Sequence, residues 1–221
     1  MAKANQRNAL LQVYDLLFAE YGPQHWWPAK TPFEVIIGAI LTQSTAWTNV
    51  QKVISKLIAA DVLTPPAIRN ILDKWLADLI YSCGYYNVKT KKLKAFVQHL
   101  FDNYNDDLDT MFKQDISDLR LELLSIHGIG EETSDSIILY AANKPSFVID
   151  AYTRRIFSRL GYDEANASYV NFQALFTSNL PQDAALFNEY HALIVNHGKL
   201  VCKKIPLCSN CCIEVLCKHQ T

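Results

Sequence analysis

Two apolar, helix-like segments flank a Gly-x-Gly turn at residues 123–138, where the chain reads LLSIHGIGEETSDSII. Glycine lets a backbone turn tightly and leaves its amide groups open. The helix that follows the turn adds further N–H groups and a partial positive charge at its N-terminus. The segment is therefore a candidate phosphate-binding hairpin, although an ordinary helix–helix turn has the same pattern.

A single carboxylate, Asp150, lies twenty residues beyond Gly130. It follows the apolar run Phe147-Val148-Ile149 and precedes an amphipathic segment with helical spacing. Aspartate is common at helix N-caps, where it contributes about 1 kcal/mol. The pattern also fits a second role, in which the helix start holds a reactive carboxylate at a fixed point beside the hairpin.

The rest of the chain has helical periodicity, with apolar side chains recurring at i, i+3, i+4 and i+7. The 221 residues are 50% hydrophobic and include only 7 Gly and 8 Pro, which excludes a disordered or low-complexity protein. We therefore expect an all-α fold. No apolar run reaches the roughly 18 residues of a membrane span. The N-terminus resembles an amphipathic helix rather than a signal peptide, so a cytoplasmic location is expected.

The formal net charge of −1 conceals an uneven charge distribution. Residues 102–122 carry seven acidic and two basic side chains, whereas residues 87–99 carry four lysines and no acid. The tail at residues 199–221 has a net charge of +3. A basic face is thus compatible with the total. The lysines from Lys89 to Lys94 are either phosphate contacts or a solvated helix start.

Five of the six cysteines lie in the last 20 residues, with the spacing C-x5-C-x2-C-x5-C and one additional thiol at Cys212. Four thiolates at this spacing are typical of an iron–sulfur cluster or a structural zinc site, and the spacing alone does not choose between them. Disulfides are not favoured, because the chain has no export signal. The four candidate ligands are Cys202, Cys208, Cys211 and Cys217.

The hairpin, the aspartate and the cysteine tail, in this order, resemble the helix–hairpin–helix DNA glycosylases of the endonuclease III superfamily over nearly the whole chain. The resemblance implies two packed helical subdomains. Residues 31–145 would form a six-helix bundle with the hairpin, and residues 1–30 and 146–221 would form the domain with the cysteine loop. It also implies that Asp150 is catalytic and that the tail binds a [4Fe–4S] cluster. The residues expected at the DNA backbone are His127, Gly128, Ile129, Gly130, Glu132 and Thr133.

Two details depart from the pattern of the superfamily. Its usual first cysteine gap is six residues and here it is five, so Cys212 in place of Cys211 stays open as a ligand. Bifunctional members carry a lysine two residues after the second hairpin glycine, where this chain has Glu132. A carboxylate cannot form the Schiff base of those enzymes, so a glycosylase without strand-cleaving lyase activity is expected.

An aromatic motif narrows the expected substrate. Trp26-Trp27-Pro28, followed by Leu-Thr-Gln-Ser-Thr at residues 41–45, is similar to the 3-methyladenine glycosylase subfamily. The similarity implies a base pocket formed by Trp26, Trp27, Pro28 and Trp47, with Gln43 filling the gap left by the flipped nucleotide. An electron-rich indole attracts a cationic methylated purine more than a normal base.

We therefore expect a monomeric, monofunctional DNA glycosylase of base excision repair, associated with the bacterial nucleoid, that removes alkylated purines from damaged double-stranded DNA. Alternatives are a glycosylase for mismatched or oxidised pyrimidines, a non-catalytic or zinc-stabilised DNA-binding module and, with least support, a structural interaction protein.

Overall fold

The computed structural model describes residues 2–219, with side chains from residue 5 onward. Within these residues all regular secondary structure is helical, which confirms the predicted all-α class. None of the described helices is long and apolar enough to cross a bilayer. The chain divides into a bundle unit, Trp27–Asn143, and a terminal unit made of Met1–Trp26 and Lys144–Thr221.

The bundle unit contains one almost fully buried helix, α2 (Pro32–Thr42). Thr31 begins it by accepting a hydrogen bond at Oγ1 from the Glu34 N–H at 3.1 Å. Proline in the first turn favours the same start. The helices are α2 (Pro32–Thr42), α3 (Trp47–Ala59), α4 (Pro65–Asn70), α5 (Asp73–Leu79), α6 (Tyr86–Tyr104), α7 (Leu108–Met111), α8 (Ile116–Ser125) and α9 (Glu131–Ser136), which continues as a π-helical turn at Ile137–Ala141.

An aromatic cluster forms the core of the terminal unit. The rings of Phe147 and Phe176 stack with centroids 3.8 Å apart, and Phe157 and Tyr190 pack against Phe176. Such rings bury large apolar areas. The unit's helices are α1 (Ala2–Tyr21), α10 (Ala151–Leu160), α11 (Tyr169–Thr177) and α12 (Ala184–Leu200), and the cysteine tail follows α12 with two short 3₁₀ turns.

The observed division places a few residues differently from the boundaries expected from the sequence. Residues 27–30 cluster with the bundle unit rather than with the N-terminal segment. The reason is that the Trp27 ring packs against Trp47 and Tyr140, with centroids 5.1 and 5.2 Å away. Lys144 and Pro145 cluster with the terminal unit.

Lys89 is neither a phosphate contact nor a solvated residue, in contrast to both interpretations of the lysine run. Its side chain is buried, and Nζ donates to the carbonyl oxygens of Leu41 and Cys83, each at 2.8 Å, and to Thr45 Oγ1 at 2.5 Å. Burial lowers the pKa of the Lys89 ammonium. Lys89 therefore ties the end of α2 to the turn before α6.

Replacing Lys89 by alanine should lower the free energy of unfolding by about 2–4 kcal/mol, because each buried acceptor left without a donor costs about 1–3 kcal/mol. Urea unfolding followed by circular dichroism measures the change. The matched control is Lys91→Ala, which removes an exposed lysine from the same helix. Equal unfolding midpoints for both variants would contradict the structural role of Lys89.

Candidate nucleic-acid interface and active site

The hairpin between α8 and α9 combines a buried anchor with an exposed edge. Ile129 is buried, whereas His127 and Gly130 on either side are exposed. Gly128 has a φ of +86°, and a Cβ at this position would lie 2.2 Å from Lys92 Cγ. Both the backbone conformation and the close approach of Lys92 therefore require glycine here.

A buried ion pair braces the two hairpin helices. Arg120 of α8 donates to both carboxylate oxygens of Asp135 in α9, at 3.0 and 3.2 Å, and Asp135 is fully buried. Loss of one partner from a buried, hydrogen-bonded pair leaves an uncompensated charge, which costs several kcal/mol. The pair therefore restrains the two helices of the hairpin relative to each other. Glu132 lies on the exposed side of the hairpin.

Gln43 lies against this hairpin. Its Nε2 donates to the Gly128 carbonyl at 3.0 Å and to Thr133 Oγ1 at 2.8 Å. Its Oε1 accepts from Lys92 Nζ at 2.5 Å. The structure thus brings together three residues predicted from the sequence, Gln43, Gly128 and Thr133. Lys92 was singled out only as one of a run of lysines, and nothing in its spacing indicated the contact with Gln43.

Three aromatic side chains meet beside α2. Trp27 contacts Trp47 edge to face, and Tyr140 packs against Trp27 at a tilt. A Cβ on Gly38 would lie 3.2 Å from Trp27 Cζ2, so glycine lets the indole lie close to the helix. An adjoining pocket of about 180 Å³ is lined by Trp27, Pro28, Glu34, Gly38, Trp47, Gln51, Ile54, Ser55 and Ile58.

Two residues of this region were not predicted. Glu34 lines the pocket, and its Oε2 accepts from the N–H of Lys30, the residue before the N-cap Thr31, at 3.0 Å. Nothing in the sequence around Glu34 indicated the pocket. Tyr140 comes from the π-helical turn, and π-helical turns are frequent at functional sites. No local sequence signal points to Tyr140.

Trp26 belongs to the terminal unit rather than to the residues that line this pocket. There the Nζ atom of Lys199 lies 5.8 Å from the centroid of the Trp26 ring. Burial lowers the pKa of Lys199, whereas the charge of Asp150 raises it. The predicted pair of adjacent tryptophans is thus divided between the two units.

Asp150 is the N-cap of α10, and its two oxygens have different surroundings. Oδ1 accepts hydrogen bonds from the Thr153 N–H at 2.7 Å and from Thr153 Oγ1 at 2.9 Å. Oδ2 lies 3.7 Å from His191 Nε2. Burial alone would raise the pKa of Asp150, but the His191 imidazole and the Thr153 hydrogen bonds outweigh it and hold the pKa below its usual value. The carboxylate is therefore ionised at neutral pH.

Two of the three arginines of α10, Arg155 and Arg159, hold the first part of the cysteine tail. Arg155 donates to the carbonyls of Cys202 and Gly198 at 2.8 and 2.9 Å. Arg159 donates to Cys202 Sγ at 3.1 Å and to the Lys203 carbonyl at 2.7 Å. The same helix therefore begins at Asp150 and supports the thiols at its other end.

The thiols form no disulfides in the described part of the chain. Among residues 2–219, no three His, Cys, Asp or Glu side chains form a preformed metal cage. Burial raises the pKa of Cys211 to about 11, and the neighbouring thiols Cys212, Cys202 and Cys217 contribute to the rise. Cys212 instead faces Glu20, whose charge raises its pKa after the effect of burial.

Replacing His191 by alanine should raise the pKa of Asp150, because burial is then opposed only by Thr153. The native Asp150 stabilises the fold above its unfolded pKa, and this stabilisation is lost as the pH falls through the lower folded pKa. In the variant the folded pKa lies closer to the unfolded one, so less stabilisation is lost as the pH falls. NMR titration of the labelled carboxyl carbon measures the shift. His99→Ala, which removes the partner of Glu122, is the control and should leave Asp150 unchanged. Equal Asp150 titrations in both variants would exclude the effect of His191.

Comparisons with known proteins agree with this geometry. Residues 37–182 match the HhH-GPD superfamily of base excision DNA repair proteins. A Methanocaldococcus jannaschii protein with a provisional DNA repair glycosylase name is 45% identical over 97% of this chain and 98% of its own length.

Two solved structures have the same fold. A 3-methyladenine DNA glycosylase from H. pylori, bound to 1,N6-ethenoadenine, matches with a TM-score of 0.74 and 27% identity over 88% of this chain and 97% of its own. An endonuclease III trapped as a covalent intermediate with DNA has a TM-score of 0.81 and 23% identity over 99% and 96% of the two chains, which shows the fold alone. With the matched profile spanning more than half of its length, this chain belongs to the HhH-GPD superfamily of base excision DNA repair proteins.

Proposed function

We propose that this protein is a monofunctional DNA glycosylase that hydrolyses alkylated purines such as 3-methyladenine out of damaged duplex DNA, acting as a monomer. The observation that carries the proposal is the aromatic pocket at Trp27 and Trp47. Aromatic faces give an everted base a surface on which to stack. Electron-rich rings attract a cationic alkylpurine more strongly than they attract a neutral base. Glu34 adds a carboxylate to the lining of the pocket. The similarity to the H. pylori 3-methyladenine enzyme supports the same class of substrate.

The hairpin supplies the contact with the DNA backbone. Its exposed glycine, Gly130, has open space on the side where a Cβ would lie, and the backbone amides at the start of α9 follow it. Such amides bind phosphate oxygens independently of sequence, which suits an enzyme that searches duplex DNA for rare lesions. The exposed side chains of His127 and Glu132 flank this edge.

Asp150 supplies the charge that the reaction needs. The bond between C1′ and the base nitrogen breaks with its electron pair leaving on the base, so that a cationic alkylpurine departs as a neutral molecule. The sugar becomes an oxocarbenium ion, which the ionised carboxylate stabilises. Water then adds to C1′ and gives its proton to Asp150 or to solvent. Because Oδ1 is engaged by Thr153, Oδ2 is the oxygen assigned to this role.

Glu132 argues for simple hydrolysis. It occupies the first turn of α9, two residues after Gly130, and its side chain is exposed. A carboxylate cannot form an imine with the sugar, so the product is a free base and an abasic site in an intact strand.

A four-thiolate centre fits the tail, with [4Fe–4S] as the proposed group and zinc as the alternative. The proposed ligands are Cys202, Cys208, Cys211 and Cys217. The assignment of Cys211 over Cys212 is supported by the effect of Cys202 and Cys217 on the pKa of Cys211, since neither contributes to the pKa of Cys212. The Arg159 guanidinium at Cys202 would offset part of the negative charge of the thiolates. When bound, the group would cross-link the tail and so stabilise the loop that follows α12.

Base release from methylated duplex DNA tests the proposed activity. The native protein should release 3-methyladenine, identified by chromatography and mass, and leave the strand intact until alkali is added. Asp150→Asn should lose about 10²–10³-fold in rate, with DNA binding retained. Trp27→Ala should lose about 30-fold in kcat/KM, the equivalent of a desolvated cation–π contact of about 2 kcal/mol.

The control for the tryptophan variant is Trp75→Ala, because Trp75 is 62% exposed and lies outside the pocket. Release of oxidised or mismatched pyrimidines instead of alkylpurines would favour the endonuclease III-like alternative. Binding to damaged duplex without release of any base would favour the non-catalytic binder.

The metal centre is tested by elemental analysis of protein purified without oxygen. Four iron and four sulfide per chain, with brown colour, are expected for the native protein. Cys211→Ala should lose most of the iron, whereas Cys212→Ala should retain it, because Cys202 and Cys217 affect the pKa of Cys211 and not that of Cys212. Iron loss in the Cys212 variant alone would exchange the two assignments, and stoichiometric zinc in colourless protein would select the alternative metal.

A further inference from the structure

Lys92 of α6 is in contact with the hairpin through both its methylene chain and its ammonium. The methylenes lie over Gly128, where a Cβ would be 2.2, 2.6 and 2.8 Å from Lys92 Cγ, Cδ and Cε. Beyond Gly128, the ammonium donates to Gln43 Oε1 at 2.5 Å. The half-buried lysine therefore bridges the turn of the hairpin and the residue that ends α2.

This contact determines which way the Gln43 amide faces. A lysine ammonium has only donors, so the group that meets it must be the amide oxygen. The amide nitrogen is then directed to the Gly128 carbonyl and to Thr133 Oγ1, which it reaches at 3.0 and 2.8 Å. Without the ammonium, the oxygen of Gln43 loses its charged partner and the amide loses its fixed orientation. A charge-assisted hydrogen bond is about twice as strong as a neutral one, so this partner dominates.

The same ammonium is placed to meet a phosphate. The hairpin edge beside it exposes Gly130 and His127, and a phosphate bound to these amides would come close to the Lys92 side chain on Gly128. A phosphate carries a full charge and competes more strongly for an ammonium than a neutral amide oxygen does. Such a transfer would free the Gln43 side chain at the moment when the backbone binds.

We propose that Lys92 is a positioning residue that couples phosphate binding at the hairpin to the release of the Gln43 side chain. In the free protein Lys92 holds Gln43 against Gly128 and Thr133. On duplex DNA its ammonium moves to a backbone phosphate, and Gln43 becomes available to the DNA. The inference rests on the DNA-binding part of the proposed function and is independent of the lesion.

Lys92→Met separates the two halves of this role, because methionine keeps an unbranched chain over Gly128 and removes the ammonium. Lys92→Arg restores the charge. The control is Lys113→Met, which removes an exposed lysine from the acidic segment at residues 102–122, where phosphate contacts are not expected. Each protein is titrated at several salt concentrations with a duplex that contains a tetrahydrofuran abasic analogue, next to a fluorescent 2-aminopurine.

Lys92→Met should reduce the slope of log K against log salt by about 0.9, the value for one lost phosphate contact. The change in 2-aminopurine emission on binding should become independent of salt, because Gln43 is no longer held back. Lys92→Arg should restore the slope, and Lys113→Met should match the native protein. If Lys92 had only a structural role, Lys92→Met would lower the thermal stability and leave the slope of log K against log salt unchanged.

Equal slopes for Lys92→Met and the native protein would overturn the inference while leaving the glycosylase proposal intact. The inference would also be overturned if borohydride trapped the native protein on an abasic duplex but did not trap Lys92→Met. Lys92 would then be a nucleophile. If no alkylated base is released but the salt slope still depends on Lys92, the proposed substrate fails and the inference stands. If the native protein bound no duplex at all, both the inference and the proposed function would be contradicted.

Discussion

The terminal unit depends on the cap that Asp150 places on α10. By accepting two hydrogen bonds from Thr153, one carboxylate oxygen fixes the helix start, and the other oxygen is left at a defined position near His191. Further along the same helix, Arg155 and Arg159 hold the backbone of the cysteine tail. An ordinary helix-capping interaction thus also sets the position and the ionisation of the proposed catalytic group.

Two glycines of the bundle unit let neighbouring side chains lie close to the backbone, because glycine has no Cβ. Gly38 lets Trp27 lie against α2, and Gly128 lets Lys92 lie across the hairpin. At Gly128 a Cβ would clash with Lys92 at 2.2 Å, and at Gly38 it would press against Trp27 at 3.2 Å. The aromatic pocket and the contact between Lys92 and Gln43 therefore depend on two residues that have no side chain, although the Gly128 carbonyl also accepts a hydrogen bond from Gln43.

Two of the seven acidic side chains at residues 102–122, Asp106 and Glu122, have partners within the fold, whereas the other five are exposed. Asp106 forms a two-pronged ion pair with Arg69, and Glu122 accepts hydrogen bonds from His99, Tyr104 and Gln114. The ion pair with Arg69 offsets the charge of Asp106 within the fold, and the hydrogen bonds to Glu122 join α6 to α8.

The sequence alone determined the features that depend on neighbours along the chain: the helical class, the Gly-x-Gly hairpin, the cap at Asp150 and the spacing of the tail cysteines. Local periodicity, turn chemistry and ligand spacing are short-range properties, and they can be recognised in a single sequence. The tertiary structure decided which groups meet. It places Tyr140 against Trp27, His191 beside Asp150 and Lys92 on Gln43, and it buries Lys89 against the carbonyl of Leu41. The two residues of each pair lie 40 or more positions apart in the chain. No sequence period encodes such distances, since they are set by how the helices pack.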